Sequence, residues 1–95
     1  MVDPQDRADS LPDGFSRARA MLAERQQPPM EATLDFGLVE IAEGRAVFAG
    51  TPGPQVLNPM GIAHGGYAAS LLDSACGVAV VTSLAEGERI STLEI

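Results

Sequence analysis

Residues 63–85 read AHGGYAASLLDSACGVAVVTSLA, and the period of this stretch decides the fold. It is long enough for a substantial helix and carries one formally charged side chain, Asp73. Apolar and small residues fall on every face at helical spacing, the mark of a helix surrounded by protein. A membrane span is the competing reading, since the length is adequate. Against it stand the mid-segment Asp, the His64-Gly65-Gly66 start, the hydroxyls of Ser70, Ser74, Thr82 and Ser83, and the lack of a basic flank. The reading is therefore a helix buried inside one domain, closed by Gly87.

Working outward, residues 88–95 alternate and predict a strand with Ser91, Leu93 and Ile95 on one face. Upstream, residues 52–61 contain Pro52, Pro54, Pro59, Gly53 and Gly61 and predict a loop. Residues 45–51 predict a strand. Ala42-Glu43-Gly44 predicts a turn in which Gly44 is free to take positive φ, so that the flanking strands form a hairpin. From Met30, Ala32, Leu34, Phe36 and Leu38 alternate with Glu31, Thr33, Asp35 and Gly37, which reads as a half-buried strand. The apolar register then slips to Val39 and Ile41, the signature of a bulge or of burial on both faces. Further back, Asp13 predicts a cap for a helix over residues 14–25, with Phe15, Ala18, Met21 and Leu22 on one face. Gln26-Gln27-Pro28-Pro29 stops it, because a proline pair cannot continue a helix. Residues 1–12, rich in Asp and Pro, read as a loosely held tail. There is no internal repeat.

Composition sets limits on this. Ninety-five residues suit one small domain, 45% hydrophobic but only 4% aromatic and without Trp. A core of small aliphatic side chains in a chain this short gains from oligomerisation. A net charge of −7 argues against nucleic acid as a partner. All six basic residues are Arg and are scattered, so no basic patch for a polyphosphate ligand is visible. Cys76 is alone, which excludes an intrachain disulfide or a cysteine metal cluster, and reads as a small buried hydrophobe. The acidic start lacks the basic and apolar regions of a secretory signal, which implies a cytoplasmic protein.

The predicted order is helix, strand, strand, long helix, strand. Three short strands are too few to wrap a helix of this length. The expectation is an α+β domain, incomplete over residues 1–95, whose remaining cover comes from further strands or from another chain.

Asp73 is the first candidate for chemistry. A carboxylate in an apolar helix costs several kcal/mol unless it is paired or hydrogen-bonded, roughly 2–5 by mutational experience. It either bonds a neighbouring hydroxyl such as Ser70 or Ser74, faces water at a groove, or serves as an acid/base. His64-Gly65-Gly66 is the second. Two glycines at a helix start expose N–H groups and let a ligand approach, and those donors suit a developing oxyanion. Alone the motif is weak, and His64 reads more readily as a cap or loop brace than as a proton carrier. Asp73 follows His64 by nine positions. At ~100° and ~1.5 Å per residue the two lie on opposite faces and ~13 Å apart along the axis. One helix cannot bring both to one reacting atom, so a common site requires a second copy of the chain.

Asn58-Pro59-Met60-Gly61-Ile62-Ala63-His64-Gly65-Gly66, followed by Leu71-Leu72-Asp73 and Gly77, resembles the HGG-motif hotdog thioesterases of the phenylacetate-pathway type. The strands over residues 34–41 and 44–51 also look like that family, and the likeness covers residues 28–95. It implies a hotdog fold, a long helix wrapped by an antiparallel sheet, here with an N-terminal helical extension over the site. It implies a homodimer or homotetramer with the active site shared between chains. The implied reaction is hydrolysis of an acyl-CoA thioester to CoA and a carboxylic acid, with no metal or bound cofactor. Asp73 would act as nucleophile or as general base for water. The Gly65 N–H would polarise the thioester carbonyl beside His64, and Asn58 would position substrate or water. Ser91 stands where some members carry a hydroxyl that orients the water, and its alternation with Leu93 and Ile95 puts it on the helix-facing side. Members continue for several more strands, which carry contacts to the CoA phosphates. Two rivals are a non-catalytic acyl-binding or assembly module on the same fold, and a hotdog dehydratase or hydratase. The first does not need Asp73, Asn58 and the glycines together. The second usually needs a His-led pair across the site.

Overall fold

The structure, a computed structural model, describes residues 11–25 and 27–94. Most of the predicted tail, with Gln26 and Ile95, lies outside them. The fold is α+β, with three α-helices and one two-stranded antiparallel sheet among the described residues.

Helix α1, Gly14–Glu24, starts where Asp13 accepts from the Ser16 N–H at 3.0 Å and the Ser16 hydroxyl at 2.8 Å. It ends at Arg25, whose left-handed backbone returns its N–H to the Met21 and Leu22 carbonyls. Helix α2, Pro29–Leu34, overturns the first part of the predicted strand. The alternation misled because Pro29 at the first helical position has its φ preset for a helix, and the residues after it are mostly good helix formers. Burial inverts accordingly: Glu31 is buried, while Met30 is 57% exposed. Asp35 closes α2 with positive φ, and only then does the chain extend.

Strand β1, Phe36–Ala42, pairs with β2, Arg45–Gly50, through a turn in which Gly44 has φ 71°. The register shifts between Leu38 and Glu40, where the slip of the apolar pattern places it. The turn is tied down from below, because the Gly44 N–H donates to the Thr82 hydroxyl at 2.7 Å. That hydroxyl in turn donates to the Ala79 carbonyl. After a single 3-10 turn, Pro54–Val56, the chain enters helix α3, Gly65–Val81. This helix packs chiefly beneath β2.

The core is an aromatic cluster. Phe36 meets Phe48 at 6.1 Å and Tyr67 edge-on at 6.3 Å between ring centroids. Val56, Leu34 and Leu71 close around them. Gly50 is obligatory here, since a Cβ would sit 2.4 Å from the Tyr67 hydroxyl and 2.6 Å from Phe36 Cβ.

Other expectations fail in instructive ways. Helix α3 is shorter than residues 63–85 and is not surrounded by protein: only Tyr67 and Val78 are buried, and Leu72 is 66% exposed. Cys76 is exposed, not a buried hydrophobe. Residues 88–94 form no strand, and Leu93 is 98% exposed instead of facing the helix. No helix among the described residues is long and apolar enough to cross a membrane.

Candidate functional site

The loop before α3 is built from the residues of the Asn58–Gly66 motif. The Asn58 side-chain carbonyl accepts the Met60 N–H at 2.9 Å and the Ile62 N–H at 3.3 Å. The Asn58 backbone donates to the Ile62 carbonyl at 2.8 Å and accepts from the Gly61 N–H at 2.9 Å. Gly61 supplies the positive φ, 80°, that this turn needs. Leu57 and Ala63 bridge across its base, and the His64 N–H donates to the Val56 carbonyl at 2.8 Å. Asn58, Gly61 and His64 thus have a structural reason to stand at this spacing: together they set the angle at which α3 begins.

His64 is the N-cap of α3. Its Nδ1 accepts the Gly66 N–H at 2.8 Å, which requires the neutral ring with its proton on Nε2. That bond uses the Gly66 donor and leaves the Gly65 N–H with no partner among the described residues. The space around Gly65 is open, since a Cβ there would meet nothing within 4 Å. A 17-residue helix ends here with one unused, exposed donor, where its dipole is positive. Beside it lies a cleft of about 310 Å³ that includes Leu34, Val56, His64, Gly66, Tyr67 and Ser70 in its walls.

Asp73 lies two turns further on and opens into a different cleft, of about 380 Å³, shared with Cys76, Gly77, Val80, Ile90, Ser91, Thr92 and Glu94. The hydroxyl that meets it is not that of Ser91 or of a helix neighbour. Thr92 donates to Asp73 Oδ1 at 2.7 Å, leaving Oδ2 without a hydrogen bond among the described residues. Ser91 lines the same cleft but makes no hydrogen bond there. The odd positions of residues 88–94 were expected to face the helix, and an even one does so, because the segment is irregular and lacks the two-residue period of a strand.

No family model, curated protein or solved structure matches this chain.

The five residues singled out in the sequence therefore fall into two groups. Asn58, His64 and Gly65 belong to the loop and cap that begin α3, of which only His64 lines the neighbouring cleft, and Asp73 and Ser91 share a second cleft further along the helix. The two groups do not converge within one chain. Helix α1 lines neither cleft. Thr92 was missed because its signal was contact across 19 positions, which no periodicity carries. Among the described residues, no group of three or more His, Cys, Asp and Glu side chains is placed to hold a metal ion.

Proposed function

We propose that this chain is an acyl-CoA thioesterase of the hotdog type, acting as a homodimer whose sites are each completed by two chains. The observation that carries the reading is the pair of unspent groups on α3. One is a carboxylate in an open cleft with one oxygen held by Thr92 and the other free. The second is a free N–H at the positive end of the same helix. A base or nucleophile and an oxyanion donor are the two things thioester hydrolysis needs. A twofold axis beside α3 would set Asp73 of one chain against Gly65 of its partner.

In the general-base form, Asp73 Oδ2 takes a proton from water as its oxygen adds to the thioester carbonyl carbon. The carbonyl oxygen gains the electron pair and is held by the Gly65 N–H. Collapse expels the CoA thiolate, which takes up a proton, and leaves a carboxylic acid. In the nucleophilic form Asp73 attacks first, and water then opens the anhydride. Thr92, by fixing Oδ1, turns Oδ2 towards the cleft in either case; the resemblance gave Ser91 a different part, orienting the water. Asn58 contributes by holding the loop, with only its amide N–H groups left to face a substrate.

Aryl- and alkyl-CoA thioesters, with free thiol as the readout, test this. Release of thiol is expected from at least one of them. Asp73→Asn, which keeps the shape and the Thr92 contact, should slow it by about 10²–10⁴-fold with circular dichroism unchanged. A hydratase would change the acyl group without releasing thiol, and a binding module would take up the ligand unchanged. Either result, or full activity in Asp73→Asn, overturns the proposal.

A further inference from the structure

The segment that brings Thr92 to Asp73 has no regular secondary structure over residues 88–94. Among the described residues, Arg89, Ile90 and Ser91 make no hydrogen bond at all. Its hydrogen bonds lie at its two ends, with Ile90 between them resting against Gly77. At the far end Thr92 holds Asp73. At the near end the Arg17 guanidinium, 71 positions earlier in the chain, donates to the Glu88 carbonyl at 2.6 Å. The same junction is reinforced by Gly14 N–H to Leu84 carbonyl at 2.9 Å and Gly87 N–H to Leu11 carbonyl at 3.2 Å. The Glu88 carboxylate folds back on the Ala85 N–H at 2.7 Å. Arg17 Nε is meanwhile buried without an acceptor. An unpaired buried N–H is costly, so the bond to Glu88 is what keeps this side chain where it is.

We infer that Arg17 is a positioning residue for Asp73: it anchors the strap whose Thr92 hydroxyl orients the carboxylate. Helix α1 then acts on the cleft from outside it, by fixing where the chain leaves α3. The consequence for turnover rests on the hydrolase reading above, whereas the anchoring does not.

Cys76 is the chain's one cysteine, is exposed, and shares the Asp73 cleft with the strap. Its rate of reaction with a neutral maleimide therefore reports whether the strap is held, independently of any catalysis. Arg17→Gln and Thr92→Val should each raise that rate several-fold. Because both tethers hold one segment, the double variant should react no faster than the faster single. Arg17→Lys keeps a cationic donor for what is a single, not a bidentate, bond and should restore most of the slow rate. Under the hydrolase reading Arg17→Gln should also lower kcat and leave KM unchanged. Wild-type labelling in Arg17→Gln, or effects of the two substitutions that multiply, overturns the inference. So does loss of folded structure in both Arg17→Gln and Arg17→Met, which would assign Arg17 to the core. Faster labelling in a protein that hydrolyses nothing would keep the anchor and reject the hydrolase.

Discussion

At the scale of single residues, two carboxyls are shifted in opposite directions, one by a local hydrogen bond and one by burial. The Ser16 hydroxyl, and after it the Ser16 N–H, hold the Asp13 carboxyl below its ordinary value. A lowered folded-state pKa means that Asp13 supports α1 above its ordinary value of 3.8 and that the support is lost as pH falls through the lower folded value. Helical circular dichroism of the wild type should therefore fall more in strong acid than that of Asp13→Asn, whose cap does not titrate. Burial pushes the Glu31 carboxyl up. For an acid this is a penalty on the ionised form, absent below the ordinary value of 4.5 and growing as pH rises through the folded value. Glu31→Gln should stabilise the fold at neutral pH by on the order of 1 kcal/mol or less and have little effect near pH 4, read from melting temperatures at both. Gly65 offers the sharpest substitution. It is the first residue of α3, where proline is well accommodated, and His64 before it is extended at φ −66° and ψ 139°, as a residue preceding proline must be. Gly65→Pro thus deletes the free N–H while leaving the helix intact, and under the proposed hydrolysis should cost about 10²–10³-fold in turnover. The roles of Asp13 and Gly44 were legible in the sequence because each is decided within three or four residues. Thr92 was not, because its partner lies in another element.

At the scale of elements, the hairpin, its bulge and its turn were legible from alternation and one glycine. Residues 29–34 were not, because Pro29 fixes the backbone before the apolar pattern can choose a period. The helix over residues 14–25 was legible in place but not in task. It was expected over the site, yet it packs against β1 and the end of α3. Its closest approach is at Gly14, where a Cβ would stand 1.6 Å from the Val81 carbonyl oxygen. Backbone cannot yield there as a side-chain tip can, so Gly14→Ala should destabilise the protein by at least about 1–3 kcal/mol, measured by urea unfolding. Retained stability in that variant would mean that α1 is not seated against α3 as described. Phe36→Ala, which removes the ring shared by both aromatic contacts, should cost about 3–5 kcal/mol.

At the scale of the whole molecule, one chain leaves α3 half covered. Leu72, Cys76 and Val80 recur every fourth position along its open side. The all-round apolar pattern of residues 63–85 was read as full burial, and the structure provides it on one side only. The same helix carries the free Gly65 N–H and the Asp73 carboxylate about 12 Å apart along the axis, at ~1.5 Å per residue, so the two cannot meet at one reacting atom within one chain. A shared site makes a direct claim about mixtures. Gly65→Pro removes the donor from one chain and Asp73→Ala the carboxylate from the other, and each homodimer should be nearly inactive. Mixed and allowed to exchange, the two should regain about a quarter of the native sites, since half the dimers are heterodimers and each combines one intact donor with one intact carboxylate. Thiol release from an acyl-CoA by the equimolar mixture, with heterodimers confirmed by native mass spectrometry, should approach that quarter. Heterodimers that form and stay as inactive as their parents would contradict the shared site.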